Sequence, residues 1–160
     1  MINIWDNYSR VKALYNRYIE AVCRRYDLNR AELDVLLFFA NNPEYDRAED
    51  IVRIYRVAKS QVSTALRALQ DRGYVAGEFE GKNRRSIHIK VLPEAHEVVE
   101  EGRRAQREFA DVLVEGFRDE ELQQMRNFAE RITDNIKKNS RKTRKGQQND
   151  NQLFKKEKGK

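Results

Sequence analysis

The stretch AKSQVSTALRALQDRG, residues Ala58 to Gly73, decides the fold of the central part of the chain. Its apolar residues recur at helical spacing, which places them on one stripe of a helix. They are Val62, Ala65, Leu66 and Leu69. Gly73 follows that stripe, and glycine easily adopts the left-handed conformation that ends many helices. The spacing therefore predicts an amphipathic helix that ends at Gly73.

The other face of this helix carries small, amide-bearing and basic side chains. They are Lys59, Ser60, Gln61, Ser63, Thr64 and Arg67. Side chains of these types fit the major groove of duplex DNA, where they form hydrogen bonds with base edges or phosphates. A polar outer face is also typical of an ordinary surface helix. The helix alone leaves both interpretations open, so the flanking segments decide between them.

Two further helices are predicted before this stretch. Asn29–Glu32 has the pattern of a capping box and begins a mostly apolar, buried helix, which Asn41–Pro43 ends. Asp46–Glu49 repeats the capping pattern and begins a short helix that reaches Tyr55. A brief turn at Arg56 and Val57 leads from this short helix into the amphipathic one. Two short helices joined by a tight turn form a helix-turn-helix unit.

A basic β-hairpin is predicted directly after the helix-turn-helix. Apolar and polar residues alternate from Tyr74 to Glu80 and again from Ser86 to Val91. The connection between them, Gly81 to Arg85, contains turn-forming residues and three cations, Lys82, Arg84 and Arg85. A cationic hairpin in this place is typical of a wing whose tip reaches the minor groove or nearby phosphates. The alternative is a solvated turn.

Long amphipathic helices are predicted on both sides of this region. Residues 3–25 carry a heptad-like seam of Trp5, Tyr8, Val11, Tyr15, Tyr18 and Val22. A helix is predicted from Pro93 to about Phe117, and its inner positions are Val98, Val99, Ala105, Phe109, Val112 and Leu113. Its first half is strongly polar, which is typical of a solvated spacer. A last helix follows Asp119, and its apolar stripe contains Leu122, Met125, Phe128, Ile132 and Ile136. Burial against a second copy of the chain would satisfy these stripes, and packing within one chain is the alternative.

The positive charge of the chain is concentrated at its C-terminal end. The net charge is +6, which by itself suggests a nucleic-acid partner. Residues 137–160, however, hold ten Lys or Arg and two acidic residues, while the rest holds 22 basic and 24 acidic residues. The tail from about Asn139 is predicted to be disordered. Any DNA-binding surface in the body must therefore depend on the local placement of charge.

Several other classes of function lack support in the sequence. No apolar run is long enough to cross a membrane, and the first residues do not resemble a signal peptide. We expect no cofactor, no metal and no enzymatic activity, because nucleotide-binding and hydrolase motifs are missing and His88 and His96 lack ligand spacing. The single cysteine, Cys23, excludes an internal disulfide and favours a cytoplasmic protein. A buried, inert thiol and a redox sensor both remain as interpretations of Cys23.

The predicted fold class is mainly α with a small β-hairpin wing. We expect a winged helix-turn-helix region at residues 29–92, between an N-terminal dimerisation helix at residues 1–28 and a dimerisation region at residues 93–138. A basic tail, residues 139–160, completes the chain.

This order of elements resembles the MarR family of bacterial transcription regulators. The resemblance covers roughly residues 5–138 and is most specific at Val57–Val75 and Asn83–Ala95. Matching positions are Lys59, Ser60, Val62, Ser63, Leu69, Arg72, Gly73, Arg85 and Leu92. Three positions depart from the family pattern. Ala58 replaces a serine N-cap, Arg56 stands where glycine is common, and Asn83 replaces the aspartate of the wing.

The resemblance implies a homodimeric repressor that binds double-stranded DNA at a near-palindromic operator and is released by a small aromatic or anionic effector. Ser60, Gln61 and Thr64 would then contact base edges, with Gln61 as an adenine reader. Phosphate contacts would come from Lys59, Ser63 and Arg67, and wing contacts from Lys82, Arg84 and Arg85. Dimerisation would use Trp5, Tyr8, Val11, Tyr15, Leu122, Met125, Phe128 and Ile132. The alternatives are a winged-helix dimer that acts as a protein-interaction scaffold without specific DNA binding, and an enzyme.

Overall fold

The computed structural model describes residues 4–80 and 83–157, with side chains described for residues 6–78 and 88–139. It confirms a mainly helical fold with one two-stranded antiparallel hairpin. The elements are α1 (Ile4–Tyr26), α2 (Arg30–Asn41), α3 (Ala48–Tyr55), α4 (Lys59–Asp71), β1 (Val75–Glu80), β2 (Asn83–Val91), a 3₁₀ turn (Pro93–Ala95), α5 (His96–Leu113) and α6 (Asp119–Glu157). The chain divides into two compact units, residues 1–113 and residues 114–160.

The core of the first unit is built around α2. This helix is buried on most of its sides, as its run of Leu, Val and Phe residues predicts, and Leu33 and Leu36 are fully inaccessible. It packs against α1, α4 and α5, and β2 also contacts it. At Gly102 of α5 a Cβ would lie within 3 Å of Leu37 side-chain atoms, so a larger residue there would require the Leu37 side chain to shift. The buried stripe of α4 joins the same core.

Caps set the beginnings of α2 and α3. The predicted capping box of α2 is confirmed: the Asn29 side chain accepts from the Glu32 N–H, and Glu32 accepts from the Asn29 N–H. For α3 the predicted N-cap Asp46 is wrong by one residue, because Arg47 occupies that position and its N–H donates to Asp50 at 3.3 Å. The Asp46 carboxylate instead lies 2.6 Å from Nδ1 of His88 in β2, while the Asp46 carbonyl oxygen accepts from the N–H of Ile89. A tertiary partner has displaced the local cap.

The hairpin follows α4 through a left-handed residue. Gly73 has φ +71°, and the N–H groups of Gly73 and Tyr74 donate to the carbonyl oxygens of Gln70 and Leu69. This pair of bonds is a Schellman motif, as the glycine predicts. β1 pairs antiparallel with β2, with an irregularity in the register at Phe79 and Glu80. β2 begins at Asn83, so the predicted start at Ser86 is wrong and the connection is shorter than expected.

The helix after the hairpin differs from its prediction in two ways. It begins with a 3₁₀ turn at Pro93 and ends at Leu113, several residues before Phe117. Its first half is also not a solvated spacer, because Val98, Val99 and Ala105, which the spacing predicts as inner positions, are buried in the core. The numerous charges that suggested a spacer lie around this buried stripe. Gly116, with φ +81°, lies in the turn that precedes α6.

The second unit contains one helix, α6. Its first turn holds Asp119, Glu120 and Glu121, where negative charge complements the helix dipole. The backbone is helical to Glu157, so the structure differs from the disordered tail predicted from Asn139. No proline interrupts this segment, which allows the helix to continue. Among the helices of the described residues, none is both long enough and apolar enough to cross a membrane.

Candidate nucleic-acid interface

Helix α4 presents a polar face to solvent on a firmly anchored inner stripe. Val62, Ala65 and Leu69 are almost completely buried, and Leu66 is buried nearly as far. The six side chains predicted to contact DNA, namely Lys59, Ser60, Gln61, Ser63, Thr64 and Arg67, are all exposed. The helix therefore brings the predicted base-reading and phosphate-binding residues together on one accessible surface. We call these six residues the α4 face.

The charge of the α4 face is not neutralised by nearby carboxylates. Neither Lys59 nor Arg67 has an ion-pair partner among the described side chains. By contrast, Arg53 on the neighbouring helix pairs with Asp50 at 2.9 Å, and Arg30 pairs with Asp34 at 2.8 Å. Uncompensated cations attract phosphates, whereas paired ones contribute little net potential. The α4 face is therefore locally positive. The net charge of the whole chain could not show this, because most of that charge comes from the tail.

Arg56 is a functional candidate that sequence reasoning treated only as a departure from a family pattern. It ends α3 in the left-handed conformation, with φ 54°, at the turn that leads into α4. Its side chain is exposed, and in the part of the chain with described side chains its guanidinium has no ion-pair partner. In the family that the sequence resembles, glycine is common at this position. A basic residue in its place could have identified Arg56 as a candidate from the sequence. Arg56 adds a third cation beside the α4 face.

The N-terminus of α2 borders the α4 face. A hollow of about 320 Å³ is lined by Asn29, Ala31, Ser60, Gln61, Thr64 and Ala65. The sequence predicts Asn29 only as the N-cap of α2. In the structure its side-chain amide donates to the Glu32 carboxylate at 2.6 Å. The contact between these two elements depends on tertiary packing, so no periodicity in the sequence could have found it. The α4 face is therefore one side of a shallow depression.

The hairpin is tied to the segment that precedes α3. The Asp46 carboxylate lies 2.6 Å from Nδ1 of His88, and the Asp46 carbonyl oxygen accepts from the N–H of Ile89. These bonds fix the base of the hairpin beside the helix-turn-helix. The predicted wing contacts at Lys82, Arg84 and Arg85 lie outside the residues whose side chains are described, as does Asn83.

The residues predicted for dimerisation divide into exposed and buried groups. Tyr8 and Val11 of α1 are exposed, and so are Met125, Phe128, Ile132 and Ile136 of α6, while Leu122 is partly buried. Trp5 lies outside the described side chains. At the C-terminal end of the α1 seam, Val22 is buried in the core of its own chain, and the partly buried Tyr18 packs against that core. Tyr15 packs on Phe109, with ring centroids 5.0 Å apart.

A groove of about 490 Å³ lies between α1 and α5. Tyr18, Ala21 and Val22 contribute to its lining together with the charged side chains of Arg17, Arg25, Glu101, Arg104 and Glu108. Arg25 donates to Glu101 at 3.2 Å across it. Tyr18 lines this groove, whereas Tyr15 and Arg24 do not. The groove combines apolar area with several cations and carboxylates.

Cys23 faces the core of the first unit. Burial raises the pKa of its thiol, and the nearby Arg30 opposes this only in part. A redox sensor requires an accessible thiol with a lowered pKa. The structure therefore favours the buried, inert thiol. Within the described residues, no group of three or more His, Cys, Asp or Glu side chains is placed to hold a metal ion.

Comparisons with known proteins find a family model and solved structures that are similar to this chain. Residues 26–86 match the model described as MarR family. No curated protein has a sequence that matches this chain. Among solved structures, a MarR family transcriptional regulator from Listeria monocytogenes in complex with a 26mer DNA is 17% identical, with a TM-score of 0.73 over 85% of this chain and 90% of that chain.

Two further structures are similar to this chain. A MarR transcriptional regulator from Methanosarcina mazei Go1 is 20% identical, with a TM-score of 0.70 over 84% of this chain and 96% of that chain. A MarR family regulator from Silicibacter pomeroyi is 22% identical, with a TM-score of 0.68 over 81% and 86% of the two chains. At these identities the structures establish a shared fold. Together with the family model they confirm the resemblance drawn from the sequence.

Proposed function

We propose that this chain, whose winged-helix segment matches the MarR family and whose fold is that of MarR transcription regulators, is a DNA-binding repressor. MarR family proteins are transcription regulators rather than enzymes. The observation that carries the proposal is the α4 face, an exposed polar surface with uncompensated cations on a helix that the core holds firmly. A rigid element is what base readout requires, because contacts must reach base edges with fixed geometry. As a promoter-binding protein, it would act in the cytoplasm.

The side chains of the α4 face would divide their roles by chemistry. The amide of Gln61 can form two hydrogen bonds with adenine, and Ser60 and Thr64 can bond to either kind of base. Lys59 and Arg67 would bind phosphates, with Ser63 beside them. Arg56 is added to this group because it is exposed, cationic and next to the helix. The wing roles of Lys82, Arg84 and Arg85 remain predictions from the sequence.

The repressor would act as a homodimer on a near-palindromic operator. The exposed apolar residues of α6 and the exposed Tyr8 and Val11 of α1 support this, since surfaces of this kind are normally covered by a partner. Two-fold symmetry would place the two α4 helices about 34–36 Å apart, in successive major grooves. A similar solved structure is a complex with a 26mer DNA, a length that accommodates two such half-sites.

Release from DNA would follow the binding of a small effector. The groove between α1 and α5 suits a small aromatic or anionic molecule, because Tyr18 and Ala21 offer apolar area and Arg17, which has no ion-pair partner among the described side chains, offers positive charge. A ligand in this place would change the packing of α1 on α5. The test is titration of aromatic carboxylates against a preformed protein–DNA complex. Release that is lost in an Arg17→Ala variant would support the groove as the site.

The experiment that tests the function is selection of duplexes from a random pool, followed by binding measured at two salt concentrations. A DNA reader enriches a two-fold symmetric sequence and binds it with a steep salt dependence, because each phosphate contact releases counterions. A protein-interaction scaffold enriches no sequence and retards no duplex at low salt. That second outcome would refute the proposed function.

A further inference from the structure

The C-cap residue of α4, Arg72, reaches across to the end of α1. Arg72 ends the helix, and the Schellman motif at Gly73 fixes the backbone on both sides of it. Its guanidinium donates from Nη2 to the carbonyl oxygen of Asp27 at 2.5 Å and from Nη1 to that of Tyr26 at 3.4 Å. The Asp27 carboxylate adds a contact at 3.3 Å. One side chain thus joins the ends of two helices.

The end of α1 is shaped to receive this guanidinium. Asp27 has φ 51°, and the N–H of Leu28 donates to the carbonyl oxygen of Cys23 at 2.9 Å. This is the left-handed arrangement in which a helix turns sharply away from its axis. The last carbonyl groups of a helix have no intrahelical donor, so they need partners from elsewhere. Arg72 supplies a donor to the last of them, at Tyr26, and another to the next carbonyl group, at Asp27, and it places a cation at the negative end of the helix dipole.

The carbonyl contacts matter more than the carboxylate. The Asp27 side chain is 99% exposed, and an ion pair with so exposed a group contributes little. The two carbonyl oxygens belong to the backbone and cannot swing away. A guanidinium can donate to both because its N–H groups form a planar fork, whereas the single ammonium of lysine cannot match that geometry.

We infer that Arg72 is a positioning residue that sets the angle between α4 and α1, and through α1 the orientation of the α4 face in the dimer. The inference rests on the proposed function, because it assumes that α1 belongs to the dimer and α4 to the DNA contact. Core packing anchors the inner stripe of α4, and Arg72 fixes the end of the same helix against α1. Without it, α4 keeps its packing but gains freedom to pivot.

The first measurement detects this freedom without DNA. Spin labels on Lys12→Cys and Gln70→Cys, both at exposed positions, report the distance between α1 and α4 in a Cys23→Ala background. Mixing with excess unlabelled protein restricts the signal to distances within one chain. We expect Arg72→Ala to broaden the distance distribution, Arg72→Lys to broaden it partly, and Asp27→Asn to leave it unchanged because both carbonyl groups remain. An unchanged distribution in Arg72→Ala would overturn the inference.

The second measurement connects the link to DNA reading. The probes are a duplex selected by the wild-type chain and versions with one base pair added or removed between its half-sites. We expect Arg72→Ala to bind the selected duplex about tenfold more weakly, the size of a lost charged hydrogen bond, and to discriminate less between the spacings. Asp27→Asn should behave like the wild type. Both measurements are made at a temperature where the variant is folded. Under that condition a loss of stability alone would change neither the ratio of the affinities for the different half-site spacings nor the width of the distance distribution between α1 and α4.

The outcomes separate this inference from the proposed function. Arg72→Ala could instead lower the slope of binding affinity against salt concentration by about one and keep the preference for one half-site spacing. Arg72 would then be a phosphate contact, and the inference would be wrong. If the wild type selects no duplex, the proposed function fails, and the distance measurement alone decides whether the link exists. If the wild type binds and Arg72→Ala binds equally at every spacing, only the inference fails.

Discussion

The outward faces of α4 and α6 are both exposed, but they differ in chemistry. The α4 face carries hydroxyl, amide and cationic groups, all of which form good hydrogen bonds with water when no partner is present. The α6 stripe carries Met125, Phe128, Ile132 and Ile136, with 43–59% of each residue in contact with solvent. A surface of the first kind suits a charged, hydrated ligand such as DNA. A surface of the second kind suits another protein surface.

The two helices also differ in how much of each is held in place. The inner stripe of α4 is buried in the core of the first unit, so this helix has both an anchored side and a free side. All of the described α6 residues from Gln123 to Asn139 are exposed. Exposure by itself therefore does not identify a binding surface. The chemistry of the exposed atoms, together with the support behind them, indicates which partner each surface fits.

The largest effect is expected from a charge in the α6 stripe. Phe128→Asp should convert a dimer into single chains, because a carboxylate buried without a partner costs several kcal/mol and a dimer would contain two. Light scattering coupled to size-exclusion chromatography measures the molar mass. The matched control is Gln123→Asp, which adds the same charge on the opposite side of the helix. A Phe128→Asp protein that remains a dimer would show that the stripe is not the interface.

The next largest effect is expected at the centre of the α4 face. Gln61→Ala should weaken binding to a selected operator by about 1–3 kcal/mol and relax the preference at one base pair, because an amide that reads adenine would be lost. Fluorescence anisotropy on the operator and on single-base variants measures both quantities. If discrimination between the bases stays the same, Gln61 does not read a base.

A smaller and less selective effect is expected at Arg67. Arg67→Ala should weaken binding about equally on all duplexes and lower the salt slope by about one, because it removes one phosphate contact. The salt dependence of the same anisotropy measurement, compared with that of Gln61→Ala, distinguishes the two roles. A loss that depends on the base sequence would assign Arg67 to base reading instead.

The smallest effect concerns the beginning of α4. Ala58 is the N-cap and provides no side-chain hydrogen bond to the first turn. Ala58→Ser should raise the free energy of unfolding by about 0.5–1 kcal/mol, because a serine oxygen can accept from an otherwise unpaired N–H. Thermal unfolding measures the gain, and Ala58→Val, which offers no acceptor, is the control. Equal melting temperatures for the serine and valine variants would show that the first turn needs no cap.

Local patterns in the sequence predicted most of the helices and the composition of the α4 face. Periodicity identified the buried stripe of α4, and Gly73 identified its end, because both depend on residues that are near in sequence. The errors arose where distant partners intervene. Asp46 bonds to β2 instead of capping α3, and the first half of α5 packs in the core instead of forming a solvated spacer. No local pattern in the sequence predicts the hydrogen bonds of Arg72 to the end of α1.

The most direct test of the central claim is hydroxyl-radical footprinting of the wild-type protein on a selected duplex. A two-fold dimer that inserts α4 into successive major grooves should protect two segments whose centres lie about 10 base pairs apart. Substitution of Gln61 should alter protection equally in both segments. A single protected segment, or protection spread evenly along the duplex, would contradict the account.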